Sequence, residues 1–329
     1  MSLYRNLLGQ SLKITWRNKY LLFFGLFAAL LGNGGQYELL VNGLNGEIGK
    51  SVFSGWQSFK ETGLFSAQTF SNLIEVARED TAALIMVLFV SLIILAIAGF
   101  LIWLSAVSQA ALVNNASIHI ANKKSGDFKI GMVAGINKFW PVFGLNIVMR
   151  IAIILSLLLI GTPVIFLTSK LGSVAAGIIY ALVFAGFMAI ALAVSFIMKY
   201  AIGFVIIEED KFFESIRSGW RLFKENWLVS MEMALILFLV GLGVSIAYLF
   251  AILILFTPFL LIGVLLSKIT VFGYVIVLMI AFLFYLAALL VTGAVLSTFQ
   301  TVSWTALFLQ LLNKGGTSKI VRVVSGLVK

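Results

Sequence analysis

Cysteine is absent from this 329-residue chain. Its absence excludes disulfides, thiol nucleophiles and cysteine-bound metals, and it leaves the redox compartment open. Histidine occurs once and proline three times. Charged residues make up 11% of the chain, against about a quarter in soluble domains. With 61% hydrophobic residues, so little charge excludes an ordinary soluble fold. No phosphate loop, dinucleotide fingerprint, nucleophile elbow or zinc motif is present. The expectation is therefore a non-enzymatic protein without a cofactor.

What the chain does have is long apolar runs. Hydrocarbon offers the backbone no hydrogen-bond partner, so spans must be helices or a closed barrel. The runs are continuous rather than alternating, which selects helices and predicts an all-α polytopic membrane bundle. Six spans are expected, at about 16–32, 82–104, 142–162, 174–198, 228–256 and 270–298. The first is the weakest, because its uninterrupted run from Tyr20 to Leu31 is short. The whole chain reads as one membrane domain. It comprises an N-terminal interfacial helix (1–19), an exterior helical cap or loop (32–80), two pseudo-repeats (81–207 and 208–314) and a tail (315–329).

Lysine and arginine set the expected orientation. Seventeen fall on one side of the six spans and five on the other, with Arg150 inside span three. That bias puts both termini in the cytoplasm and the protein in the cytoplasmic (inner) membrane of a bacterium. A net charge of +10 could indicate nucleic acid. Because these cations flank spans, anionic lipid headgroups are the expected partner and nucleic acid is not. An unknown membrane protein or a second copy is a further partner class.

The basic side carries a recurring unit of amphipathic segment, aromatic-basic junction and paired spans. Phe128, Met132, Gly135 and Phe139 match Phe212, Ile216, Gly219 and Phe223 at a constant offset of 84. A fainter copy is N-terminal, where "WRNKYL" resembles "FKENWL". Asp127 and Asp210 are expected as helix N-caps. Phe212, Ile216, Trp220, Phe223 and Trp227 share one helical face, with Glu214, Arg217, Arg221, Lys224 and Glu225 opposite. Such a helix lies in the interface, so Arg217, Arg221, Lys224, Trp220 and Trp227 are expected to contact headgroups. Leu3, Leu7, Ser11 and Ile14 form a similar stripe, with Arg5, Lys13 and Arg17 opposite.

The segment "SIRSGWRLFKENW", set before an apolar run and echoed by "GMVAGINKFWP", resembles the membrane domain attached to some bacterial glycerophosphoryl diester phosphodiesterases. It is also similar to free-standing uncharacterised membrane proteins related to that domain. The resemblance covers roughly Thr81 to Lys314. In that family, catalysis belongs to a separate soluble barrel with histidine and acidic metal ligands. This chain has one histidine and no room for such a barrel, so the resemblance implies no activity and no catalytic residue here.

Arg150 and Glu232 are the charges placed within spans, and such charges are functional candidates. They are read either as an intramembrane ion pair locking spans three and five together or as two side chains reaching separately to the interface. His119 is expected beyond the end of span two, as a polar residue on a helical extension. Glu208 and Glu209 are read as solvated residues before a capping Asp210. Pro163 and Pro258 lie near the outer ends of their spans, where they stop or kink a helix; a gating hinge is the alternative. The leading functional reading is a membrane scaffold or accessory component that engages anionic lipid. The alternative is a transporter or permease for a small or amphipathic solute, with Arg150 and Glu232 lining its path. An intramembrane enzyme of lipid metabolism ranks third.

Overall fold

The computed structural model describes residues 3–31, 81–121, 126–168, 173–268 and 271–314. All regular structure among these residues is helical, as expected of an all-α polytopic bundle. The helices are α1 (Leu3–Arg17), α2 (Leu21–Leu31), α3 (Thr81–Ile120), α4 (Phe128–Asn137), α5 (Phe139–Thr168), α6 (Ser173–Gly203), α7 (Phe212–Glu225), α8 (Trp227–Ser267) and α9 (Val271–Lys314). The cap at 32–80 and the tail at 315–329 lie outside the described residues.

Among the described residues, five helices are long and apolar enough to cross a membrane, namely α3, α5, α6, α8 and α9. The first expected span resolves into amphipathic α1, a break at Asn18 to Tyr20, and α2. The described part of α2 has 11 residues. Leu21, Phe24 and Ala28 of α2 are buried in a cluster with Ala111, Leu112 and Ala116 of α3 and Val302 of α9.

Each aromatic-basic junction falls at a helix break: Asn18–Tyr20, Lys138 and Asn226. A short helix precedes each break, and at Lys138 and Asn226 a long helix follows, α5 and α8. Short helices also dock by a shared scheme. Helix α4 packs on α3, α7 packs on α6, and α1 packs on α9, so the scheme closes on itself. The first and last long helices of each unit then pair: α2 with α3, α5 with α6, α8 with α9. Glycine permits two of the docking contacts. A Cβ on Gly219 would lie 2.7 Å from the Ile197 carbonyl oxygen and 3.0 Å from the Ala201 nitrogen. Gly135, its equivalent in the offset of 84, sits against the Val107 carbonyl of α3 in the same way.

Several helix ends differ from the expected ones. Span two was expected to stop near 104, but α3 runs to Ile120. Neither Pro163 nor Pro258 stops its helix: α5 continues to Thr168 and α8 to Ser267. At Pro258 one backbone donor is lost, while Thr257 turns its hydroxyl back to the Leu253 carbonyl at 2.7 Å. Asp127 caps α4 as expected, accepting from the Phe128 amide at 2.7 Å. Asp210 does not cap α7. Lys211 holds that position, and Asp210 accepts from the Ser218 hydroxyl at 3.2 Å. Ahead of it, α6 widens into a π-helical turn, Phe204–Glu208. Glu209 closes that turn in the left-handed region at φ 59°, donating its amide to the Phe204 carbonyl.

Burial is confined to one end of the long helices. Leu104 to Val113 of α3 are almost all buried, whereas Ile85 to Ile102 are uniformly exposed. The same change occurs near Asn146 in α5, Ala191 in α6, Leu237 in α8 and Ala294 in α9. In every case the buried end is the one nearer a short helix. We call these ends the core and the exposed ends the arms.

Candidate functional site

Two features of the core end bear on function: an outer face of aromatic and basic side chains, and a polar seam beneath it.

The outer face is built from the short helices. Close docking on α6 requires small residues, and α7 supplies Ser215, Gly219 and Leu222 as its buried stripe. The opposite face is then fixed by the helical period. Phe213, Arg217, Trp220, Arg221 and Lys224 recur at i, i+4, i+7, i+8 and i+11 and are all exposed. This corrects the expected division. Trp220 does not share the buried face; it stands among the cations, and Phe213 is 82% exposed. Helix α1 keeps its expected division, with Leu7, Ser11 and Ile14 buried and Arg5, Lys13 and Arg17 exposed. Each of the three junctions carries an exposed tryptophan: Trp16 at 72%, Trp140 at 75% and Trp227 at 55%. Arg17, Lys138 and Lys224 lie within three residues of them.

The seam joins helices of different units. Glu232 on α8 accepts a hydrogen bond from the Tyr4 hydroxyl on α1. Two residues earlier, Ser230 donates to the Asn226 carbonyl at 2.9 Å. A serine hydroxyl has one proton, so the Tyr200 hydroxyl of α6, 2.6 Å away, donates to Ser230. Asn146 on α5 donates to Gln109 on α3 at 2.7 Å. The Tyr20 hydroxyl meets His119 Nε2 at 2.8 Å, and Asn115 donates to the Asp127 carbonyl at 3.2 Å. His119 therefore lies on the helical extension of α3 beyond residue 104, tied to the α1–α2 break.

Lys199 is another residue whose surroundings sequence reasoning missed. Counted as a loop cation, it lies instead within α6, with its ammonium 4.7 Å from the Trp304 ring centroid and 5.9 Å from that of Phe196. Tyr200, Phe204 and Phe308 extend this aromatic wall. A cation over an indole face is attracted by the ring quadrupole, so the wall holds the ammonium at the edge of the core.

Arg150 lies exposed on α5, one turn beyond the last buried residue of that helix, Asn146. Glu208 and Glu209 are exposed. Gly241 of α8 is buried facing Gln300 of α9, while Gly243 has open space around it. No group of three or more histidine, cysteine or acidic side chains able to hold a metal occurs among the described residues. No family model, curated protein or solved structure matches this chain.

Proposed function

We propose that this chain is a non-enzymatic scaffold or accessory protein of the bacterial cytoplasmic membrane, whose short helices gather anionic phospholipid at the cytoplasmic leaflet. Both termini face the cytoplasm in this reading, because cations concentrate on the side retained by the positive-inside bias. The observation that carries it is the exposed stripe of α7, where Phe213 and Trp220 interleave with Arg217, Arg221 and Lys224. Aromatic rings suit the headgroup layer, and each cation near an anionic surface contributes about 1 kcal/mol. The exposed junction tryptophans Trp16, Trp140 and Trp227 repeat the motif around the molecule. The seam also favours a scaffold over a solute path, since Tyr4 with Glu232 and Gln109 with Asn146 bind one another across helices.

The test is thermal unfolding of the purified protein in mixed micelles containing phosphatidylglycerol or phosphatidylcholine, at low and high salt. Phosphatidylglycerol should raise Tm more than phosphatidylcholine does, and salt should erase the difference. The triple variant Arg217→Ala, Arg221→Ala, Lys224→Ala should lose most of the anionic advantage. Equal response to both lipids, or indifference to the triple change, would overturn the proposal.

A further inference from the structure

We infer that hydrocarbon encloses the arms alone, and that the packed core with its short helices stands at and beyond the headgroups of one leaflet. The inference concerns depth rather than lipid preference, so it survives or fails independently of anion selectivity.

Charge gives the first argument. Residues 82–102, 151–168, 173–190, 238–267 and 271–293 contain no Asp, Glu, Lys or Arg. Arg150 sits at the base of its arm, while Lys199, Glu232 and His119 all lie on the core side. On α5 and α8 the first charge lies close to the boundary in burial; on α3 and α9 the charge-free run continues through the core, where Ser105, Gln109, Gln300 and Thr305 supply the polar groups. Length gives the second. The α3 and α9 arms, 82–102 and 271–293, extend about 31 and 34 Å at 1.5 Å per residue, close to a hydrocarbon core of about 30 Å. The α8 arm is longer, and tilting accommodates such excess.

Exposure gives the third. The arms present large apolar side chains on nearly all faces, such as Ile94, Leu253 and Phe284, each more than 60% exposed. Exceptions are few. Phe187, Gly241, Gly263 and Ala281 are buried, and Tyr274 of α9 would meet a Cβ on Gly263 at 3.3 Å, so α8 and α9 touch there. A placement with the core at mid-bilayer would strand these arms in water. It would also carry Lys199, Glu232, Gln109 and Asn146 into hydrocarbon, where polar groups are costly. Helix α8 keeps an apolar outer face lower than the other helices, at Met231 and Leu235. In this placement those residues share the headgroup layer with Trp220 and Trp227.

The natural lack of cysteine makes the test direct. Single variants Ile94→Cys, Leu253→Cys, Phe284→Cys, Leu239→Cys and Met231→Cys would each carry a nitroxide in the full-length protein reconstituted into phospholipid bilayers. Relaxation by oxygen and by a water-soluble nickel chelate reads depth. Labels at 94, 253 and 284 should be the deepest and closed to nickel. The label at 239 should be shallower, and that at 231 shallower still. On α8 alone, positions 231 and 253 are separated by about 33 Å, so both cannot lie at mid-bilayer. A label at 239 deeper than that at 253, or nickel access at 94, would overturn the inference. Closure of 94 and 253 to both reagents would do so too, because protein rather than lipid would then cover the arms.

Discussion

Residues 85–102 and 104–116 belong to one uninterrupted helix, α3, yet their surroundings differ completely. The first stretch is exposed at every position, while the second is largely buried among α2, α4, α5 and α9. Their polar content differs in step. The core stretch contains Ser105, Ser108, Gln109, Asn114 and Asn115; the arm stretch contains only Ser91. In water, the purely apolar stretch would be the one to bury. Burial of the polar-rich stretch is the arrangement expected when the solvent around the arm is itself hydrocarbon. With no hydrophobic drive in lipid, helix association rests on close packing and interhelical hydrogen bonds. The core has both: Gly219 against Ile197, Gln109 with Asn146, and Tyr200 with Ser230. In the arms, Tyr248 of α8 donates to the Tyr285 carbonyl of α9 over a longer 3.3 Å.

Glycine substitution should separate the two regions most sharply. Gly219→Leu drives a side chain into the α6 backbone and should cost about 3 kcal/mol, the upper end for overpacking. Gly243→Leu in the α8 arm has open space around it and should stay within about 0.5 kcal/mol. Unfolding of both variants in bicelles checks the contrast, which disappears if they lose equally. A smaller gap is expected between two tyrosines. Tyr4→Phe removes a bond to a carboxylate, worth about 1.5–3 kcal/mol, whereas Tyr248→Phe removes a long neutral one, worth about 0.5 kcal/mol. A double-mutant cycle of Tyr4→Phe with Glu232→Gln should assign most of the Tyr4 loss to the pair. The smallest effect on stability is expected for Phe213→Ser, which touches the exposed face alone. It should change unfolding by less than about 0.5 kcal/mol, yet reduce the Tm gain from phosphatidylglycerol. A large loss of stability would place Phe213 in packing rather than at the lipid surface.

Much of the architecture was legible in sequence, and unevenly so. Span starts were readable: those expected at 82, 142, 174, 228 and 270 have helices starting at Thr81, Phe139, Ser173, Trp227 and Val271. Hydropathy changes abruptly at those points. Span ends were not readable: those expected at 104, 162, 198, 256 and 298 run on to Ile120, Thr168, Gly203, Ser267 and Lys314. Between Ser105 and Ile120 polar residues alternate with apolar ones, which resembles a loop until a partner helix accepts their hydrogen bonds. The face of α7 was half legible. Aromatic periodicity grouped Trp220 with Phe212, Ile216 and Phe223, but docking selected the small stripe of Ser215 and Gly219, which leaves Trp220 among the cations. The Tyr4–Glu232 bond joins residues 228 positions apart, and no local pattern encodes it. Lys199 looked like a loop cation because the π-helical turn that prolongs α6 to Glu208 has no sequence signature.

The most direct measurement compares two leucines on a single helix, α8. Leu237 is 3% exposed in the core and Leu253 is 65% exposed in the arm. Unfolding free energies of Leu237→Ala and Leu253→Ala in the same bicelles would weigh one side chain against the other. A loss of about 2 kcal/mol or more at 237, from the cavity left in a packed site, with little change at 253, is the predicted result. Equal losses would mean that the arms are packed as tightly as the core, which would contradict the account.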